Sequence, residues 1–172
     1  MTHRHLVLVG LPGAGKSTVG LAVAGRLGRP FVDLDVEIEA RGGRSVAELF
    51  RVKGEPEFRR LEHAATAALV GSAPAVIAPG GGWMTQAETV KLLRPHALLV
   101  YLRVSPEAAL RRLGPGVATR PLLAGSDPAA ALRSLEAARA PVYLTADRVL
   151  DTEALDLQDV VESLVQMASA DL

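Results

Sequence analysis

The sequence predicts an α/β fold on a mostly parallel sheet, and two observations predict it. Short apolar runs alternate with longer stretches of helical periodicity, the pattern that successive strand–helix–strand units leave in a chain. The first run, Leu6-Val7-Leu8-Val9, also feeds a glycine-rich turn, Gly10-Leu11-Pro12-Gly13-Ala14-Gly15-Lys16-Ser17, which opens into a helix-compatible stretch ending near Leu27. Strand, turn and helix in that order put the backbone N–H groups of the turn at a helix N-terminus, on the carboxyl edge of the sheet.

Along the chain, strands are expected at 5–9, 31–34, 75–78, 97–102 and 148–150, and helices at 16–27, 46–70, 85–93, 106–113, 128–143 and 155–168. The second helix starts on Ser45-Val46-Ala47-Glu48, a capping box in which serine and glutamate satisfy each other's backbone donors. Gly54 and Pro56 interrupt it, so two helical pieces with a break around 53–56 are expected. Residues 114–121, Gly-Pro-Gly-Val-Ala-Thr-Arg-Pro, lie between two helices and read as a plain connector or as a lid over a site.

The 172 residues suit one domain, 1–172, large enough to bury a core. Apolar residues make up 49% and charged ones 22%, with zero net charge, which argues against nucleic acid as a bulk partner. Cysteine is absent, which excludes a disulfide framework and thiolate metal sites. The run at 6–9 is too short to cross a bilayer and has no signal-peptide cleavage pattern, so a cytoplasmic protein without membrane contact is expected. With no heptad pattern or long apolar stripe, a monomer is expected.

The turn at 10–17 reads G-x-x-x-x-G-K-S, and its chemistry is that of a nucleoside triphosphate site. Glycines fold the backbone tightly so that N–H groups face an anion, Lys16 would reach the β- and γ-phosphates, and Ser17 would ligate Mg²⁺. Asp33-Leu34-Asp35 ends the second strand. On an extended chain, residues two apart point the same way, which places both carboxylates on one face at the ligand edge. A solvated loop acid or a helix N-cap is the alternative. Phosphate-loop enzymes take a metal-binding aspartate from a strand beside the loop strand. The natural candidate, 75–78, ends in Pro79-Gly80-Gly81-Gly82 without a carboxylate, so Asp33 is expected to serve the metal through water. Asp35 is then free to face a substrate hydroxyl.

Gly80-Gly81-Gly82 is either a flexible turn or a place where a ligand approaches the backbone closely. Arg59 and Glu62 are three residues apart on a helix; they form an ordinary surface pair, or Glu62 holds the Arg59 fork for an anionic substrate. Arg120 in the candidate lid and Arg139 on a later helix are further anion-binding candidates, and Arg112 would stack on a base or cap its helix. Histidines 3, 5, 63 and 96 share no ligand-like spacing and read as surface or structural. Trp83, the only tryptophan, lines the pocket or packs in the core.

Together these pieces resemble the shikimate kinase family: GLPGAGKST at 10–18, DLDVEIE at 33–39, GRSVAELF at 43–50, GEPEFRRLE at 54–62, GGG at 80–82, TRPLLAG at 119–125 and RAPVY at 139–143, in the family's order. The resemblance implies a fold like nucleoside monophosphate kinases, a three-layer α/β/α P-loop domain with a five-stranded parallel sheet. A substrate-binding region at about 33–62 and a lid at about 113–125 complete it. It implies transfer of a phosphoryl group from ATP, with one Mg²⁺, to the 3-hydroxyl of shikimate, on the way to chorismate and the aromatic amino acids. By the same resemblance, Gly13, Ala14, Gly15, Lys16, Ser17 and Thr18 bind ATP, Ser17 and Asp33 serve the metal, and Asp35 contacts the shikimate hydroxyls. Arg59 and Arg139 hold its carboxylate, Gly80, Gly81 and Gly82 lie against its ring, and Arg120 reaches ATP from the lid. Arg112 lies near the adenine, with Asp151-Thr152 in the loop beside it. Lys16, Asp35 and Arg120 are thus the expected catalytic groups. Trp83 is bulkier than the resemblance leads one to expect and could reshape the pocket. The alternatives are a gluconate kinase of similar fold, against which the F-R-x-x-E and R-P-L-L elements speak, and a non-catalytic nucleotide-binding regulator.

Overall fold

The structure, a computed structural model, describes residues 4–171. Five strands form one parallel sheet in the order β2–β3–β1–β4–β5. They are β1 His5–Val9, β2 Phe31–Asp33, β3 Val76–Ala78, β4 Ala97–Arg103 and β5 Arg148–Asp151. The connecting helices are α1 Lys16–Leu27, α2 Leu34–Gly42, α3 Val46–Ala67, α4 Ala87–Leu93, α5 Pro106–Leu113, α6 Pro128–Tyr143 and α7 Leu157–Ala170.

Central parallel strands are covered on both faces, which is why β1 and β4 are unbroken apolar runs rather than alternating ones. Successive side chains still point to opposite faces. Leu6, Leu8, Val76, Leu98 and Val100 pack with Val19 and Val23 of α1 and Val160 and Leu164 of α7. Val7, Val9, Ile77, Leu99 and Tyr101 pack with Leu34 and Ile38 of α2, Leu49 and Leu61 of α3, and Tyr143 of α6. One core on each face makes the three α/β/α layers. The chain leaves central β1 for β2 at one edge and later crosses to β4 on the other side, so the crevice beyond the carboxyl end of β1 is a topological switch point.

The expected elements are present, with local corrections. Residues 34–42 form a helix that the sequence reading left without one, and its N-cap is Asp33, whose Oδ1 accepts from the backbone N–H of Asp35 (3.0 Å) and Val36 (3.4 Å). Asp33 and Asp35 therefore do not share a face of extended chain; Asp33 ends the strand and Asp35 lies in the first turn of α2. The capping box of α3 is complete, and the expected break is at Gly54, whose φ of 80° leaves the helical region. A separate 3₁₀ turn at Trp83–Thr85 precedes α4, and two more, Gly114–Thr119 and Pro121–Leu123, follow α5.

At the amino edge of the sheet, His5 is structural. Its Nδ1 accepts the N–H of Ala75 at 3.1 Å, so the proton sits on Nε2, which faces the carbonyl of Leu69 at 3.2 Å. Burial holds its pKa below the usual histidine value. His3 lies outside the described residues. No described helix is long and apolar enough to cross a membrane.

Candidate active site

The phosphate side of the cleft is built by local chain geometry. Gly15 caps α1 in the left-handed conformation, φ 88°, and no side chain bonds the first N–H groups of the helix. They face a cavity of about 580 Å³ lined by Gly13, Ala14, Gly15, Lys16, Ser17 and Thr18, with Asp33, Arg112 and Arg120. Lys16 donates to the carbonyls of Gly10 (2.7 Å) and Leu11 (2.9 Å), which arches the turn around it. Burial, and then the positive charge of Arg120, bring its pKa down to about 7. Phosphate oxygens at the same place would restore the cation. The Ser17 hydroxyl donates to Asp33 Oδ2 at 2.9 Å, so Asp33 is at once a helix cap and a partner of the phosphate loop.

At the far end of this cavity Arg112 donates to the hydroxyl (3.2 Å) and carbonyl (3.1 Å) of buried Thr152. Leu155, Leu157 and Val160 add an apolar wall there that sequence reading did not single out. Asp151 does not line the cavity; its carboxylate is spent on Arg103.

A second cavity of about 330 Å³ adjoins the first. Arg59, Arg120, Arg139, Asp35 and Glu39 supply its charges, Gly80, Gly81 and Gly82 part of its wall, and Phe50, Phe58, Leu122 and Leu123 an apolar face. Asp35, Gly80, Gly81 and Arg120 line both cavities. Asp35 Oδ1 is sealed from solvent without a hydrogen-bond partner among the described residues. Burial, and then the negative charge of Asp33, raise its pKa above the usual carboxylate value, against the pull of Lys16 and Arg120. An unpartnered carboxylate oxygen at the meeting point of two cavities is an acceptor for a hydroxyl brought there.

Arg59 is paired with Glu62 as the spacing suggests, but the pair is not an ordinary surface one. Its Nη1 donates to Glu62 Oε1 at 2.9 Å, and that carboxylate is 0% exposed against 15% for the arginine. Glu55, not singled out from sequence, accepts from Nε (3.3 Å) and Nη2 (3.1 Å) of Arg59. Burial of Glu62 outweighs the guanidinium and raises its pKa to about 7. Its second oxygen has no partner among the described residues.

The triple glycine is a matter of space rather than flexibility. A Cβ on Gly80 would lie 3.2 Å from Asp35 Oδ1, one on Gly81 2.9 Å from Arg139 Nη1, and one on Gly82 would run into the Arg59 guanidinium. Trp83, by contrast, does not line the pocket. It is 1% exposed in the core, so it does not trim the substrate space as sequence reading allowed.

The sequence pattern of shikimate kinase matches residues 12–169. The chain belongs to the shikimate kinase family. A shikimate kinase of Symbiobacterium thermophilum is 44% identical over 164 residues, 94% of either chain. The solved structure of shikimate kinase from Acinetobacter baumannii in complex with shikimate has a TM-score of 0.92 at 34% identity, covering 99% of this chain and 95% of that one. A gluconokinase from Sinorhizobium meliloti reaches a TM-score of only 0.66 at 18% identity, covering 98% and 93%, and shares the fold alone. As a member of the shikimate kinase family the chain is an ATP-using kinase, which removes the regulator alternative.

Proposed function

We propose that this chain transfers the γ-phosphoryl group of ATP to the 3-hydroxyl of shikimate, giving shikimate 3-phosphate and ADP on the route to chorismate and the aromatic amino acids. The junction of the two cavities carries the proposal: Asp35, Gly80, Gly81 and Arg120 border both, so a hydroxyl in one meets a phosphate in the other. Gly13 to Thr18 hold the phosphates, and Arg112 with Thr152 holds the base end. Arg59 and Arg139 grip the substrate carboxylate, which accounts for a basic pocket on a neutral protein.

The substrate oxygen attacks the γ-phosphorus in line, the bond to the β-bridging oxygen breaks, and the hydroxyl proton passes to Asp35 and then to solvent. A raised pKa suits Asp35 to take that proton. Positioning and charge neutralisation supply most of the acceleration in such transfers, and Lys16 and Arg120 provide the cations. The donor set of Ser17 and Asp33, a hydroxyl and a carboxylate 2.9 Å apart at the phosphate cavity, fits a hard cation that takes its other ligands from phosphate and water. Mg²⁺ held there would screen the charge between the β- and γ-phosphates.

Residues 113–125 act as the lid and 33–62 as the substrate-binding region of one domain spanning 1–172, working as a cytoplasmic monomer without nucleic-acid or membrane partners. The test is ADP release with MgATP in a coupled assay, with shikimate, gluconate or no acceptor. Turnover with shikimate alone is expected; turnover with gluconate instead would overturn the acceptor assignment while leaving the phosphate site.

A further inference from the structure

The loop Pro79-Gly80-Gly81-Gly82-Trp83 runs between the two helices that carry the acceptor-site arginines, α3 with Arg59 and α6 with Arg139. Its glycines are pressed against those guanidinium groups, as the Cβ overlaps at Gly81 and Gly82 demonstrate. A run of glycines has no side chains to anchor it and a large backbone entropy to lose. Two hydrogen bonds, one buried and one part-buried, supply the anchorage.

From α6, the Tyr143 hydroxyl donates to the Gly81 carbonyl at 2.5 Å. Tyr143 is fully buried, its ring lies 5.0 Å from that of Tyr101, and it follows Arg139 by one helical turn. From α3, the Thr66 hydroxyl accepts the Trp83 indole N–H at 3.1 Å and donates to the Glu62 carbonyl at 2.8 Å. Thr66 and Trp83 are both buried, and Glu62 is the partner of Arg59. The tethers therefore join the glycine loop to the two helices that present the arginines, one turn beyond Arg139 on α6 and two turns beyond Arg59 on α3. Tyr143, Thr66 and Trp83 do not line the acceptor cavity themselves.

We propose that Tyr143 and the Trp83–Thr66 pair are positioning residues that hold the triple glycine as a spacer between Arg59 and Arg139, and so set the separation at which the two guanidinium groups meet a substrate carboxylate. The inference rests on the assignment of those arginines to the carboxylate. A tethered spacer explains why a tryptophan follows the glycines: its indole reaches a hydroxyl on α3 that a small residue could not reach.

The experiment compares steady-state kinetics of Tyr143→Phe, Thr66→Val and Arg139→Lys with the parent chain, with melting temperatures alongside. Tyr143→Phe keeps the ring and removes only the hydroxyl; Thr66→Val keeps the volume and removes the acceptor. Releasing one tether in either variant is expected to raise the KM for shikimate about tenfold, with kcat and the KM for ATP within about twofold. An unchanged shikimate KM in both variants overturns the proposal, as does a parallel rise in both KM values with a lowered melting temperature, which is what general loosening would produce. Should Thr66→Val fail to fold, Tyr143→Phe decides alone. A raised shikimate KM in Arg139→Lys only would remove the tethers and keep the carboxylate site. No change in Arg139→Lys would remove the site reading and the tethers with it.

Discussion

In the phosphate cavity one unbroken stretch, Gly13 to Thr18, supplies the backbone N–H groups at the start of α1 and Lys16, with Arg112 and Arg120 added from elsewhere. In the acceptor cavity the polar groups come from separated segments: Asp35 and Glu39 on α2, Ser45 and Arg59 at the start and along α3, the glycines after β3, Thr119 and Arg120 beyond α5, and Arg139 on α6. The first half needs mainly a local conformation. The second needs several elements packed together, and it buries charge, with oxygens on Asp35 and Glu62 that have no partner among the described residues. Donor binding should therefore withstand changes in packing that acceptor binding does not.

The largest expected effect lies on the donor side. Lys16→Ala should lower kcat by on the order of 10³ or more, because it removes a cation from the transferring phosphoryl group. The circular dichroism spectrum should be largely unchanged, since the hydrogen bonds lost are local ones to Gly10 and Leu11 in the adjoining turn. Normal turnover in this variant would sink the phosphoryl-transfer reading.

Next comes Arg59→Ala, expected to raise the KM for shikimate roughly 100-fold while moving the KM for ATP by no more than a few-fold, because it strips a charge partner from the acceptor side alone. Equal losses for both substrates would erase the distinction between the halves. Gly82→Ala sharpens it without touching a charge. Its Cβ collides with the Arg59 guanidinium, so displacement of the fork should cost about tenfold in shikimate KM and nothing measurable in ATP KM. Isothermal titration with each ligand gives the same comparison without turnover.

The smallest effect is on stability. Glu62 has a pKa near 7 in the folded chain against 4.5 for the ordinary side chain. Below 4.5 it is neutral folded and unfolded. Between 4.5 and 7 only the unfolded chain gives up the proton, so stability falls as pH rises and levels off above 7. Glu62→Gln should flatten this slope, worth on the order of 2–3 kcal/mol across the window. Urea midpoints at a series of pH values read it directly, and parallel pH curves for the two proteins would show that Glu62 titrates alike in the folded and unfolded chains.

Much of this was legible in the chain. The strand runs, the break at Gly54 and the capping box at Ser45 carry their signals within a few adjacent residues, and the structure reproduces them. The helix at 34–42 was not legible. Its residues, Leu-Asp-Val-Glu-Ile-Glu-Ala-Arg-Gly, bury only Leu34 and Ile38, too few to mark a periodic face, and Asp33 reads equally as a site acid or a cap. The structure makes it the cap and places it on the wall of the phosphate cavity. Asp35 faces the junction for a different reason from the one its spacing suggested: the first turn of α2, rather than an extended strand, aims it there. Glu55 gave no signal because acidic residues on exposed helices are common, and only the fold of Arg59 back onto it singles it out.

The sequence by itself determined the strand runs, the helices other than α2 and the whole phosphate loop, because each follows from hydrophobic periodicity or from backbone conformations decided over a turn or two of chain. Only the tertiary structure decided that Trp83 turns into the core toward Thr66, that the Tyr143 hydroxyl ends on Gly81, and that Asp35 and Arg120 border both cavities. Those are contacts between residues tens of positions apart. They depend on how helices dock on the two faces of the sheet, and no local pattern records that docking.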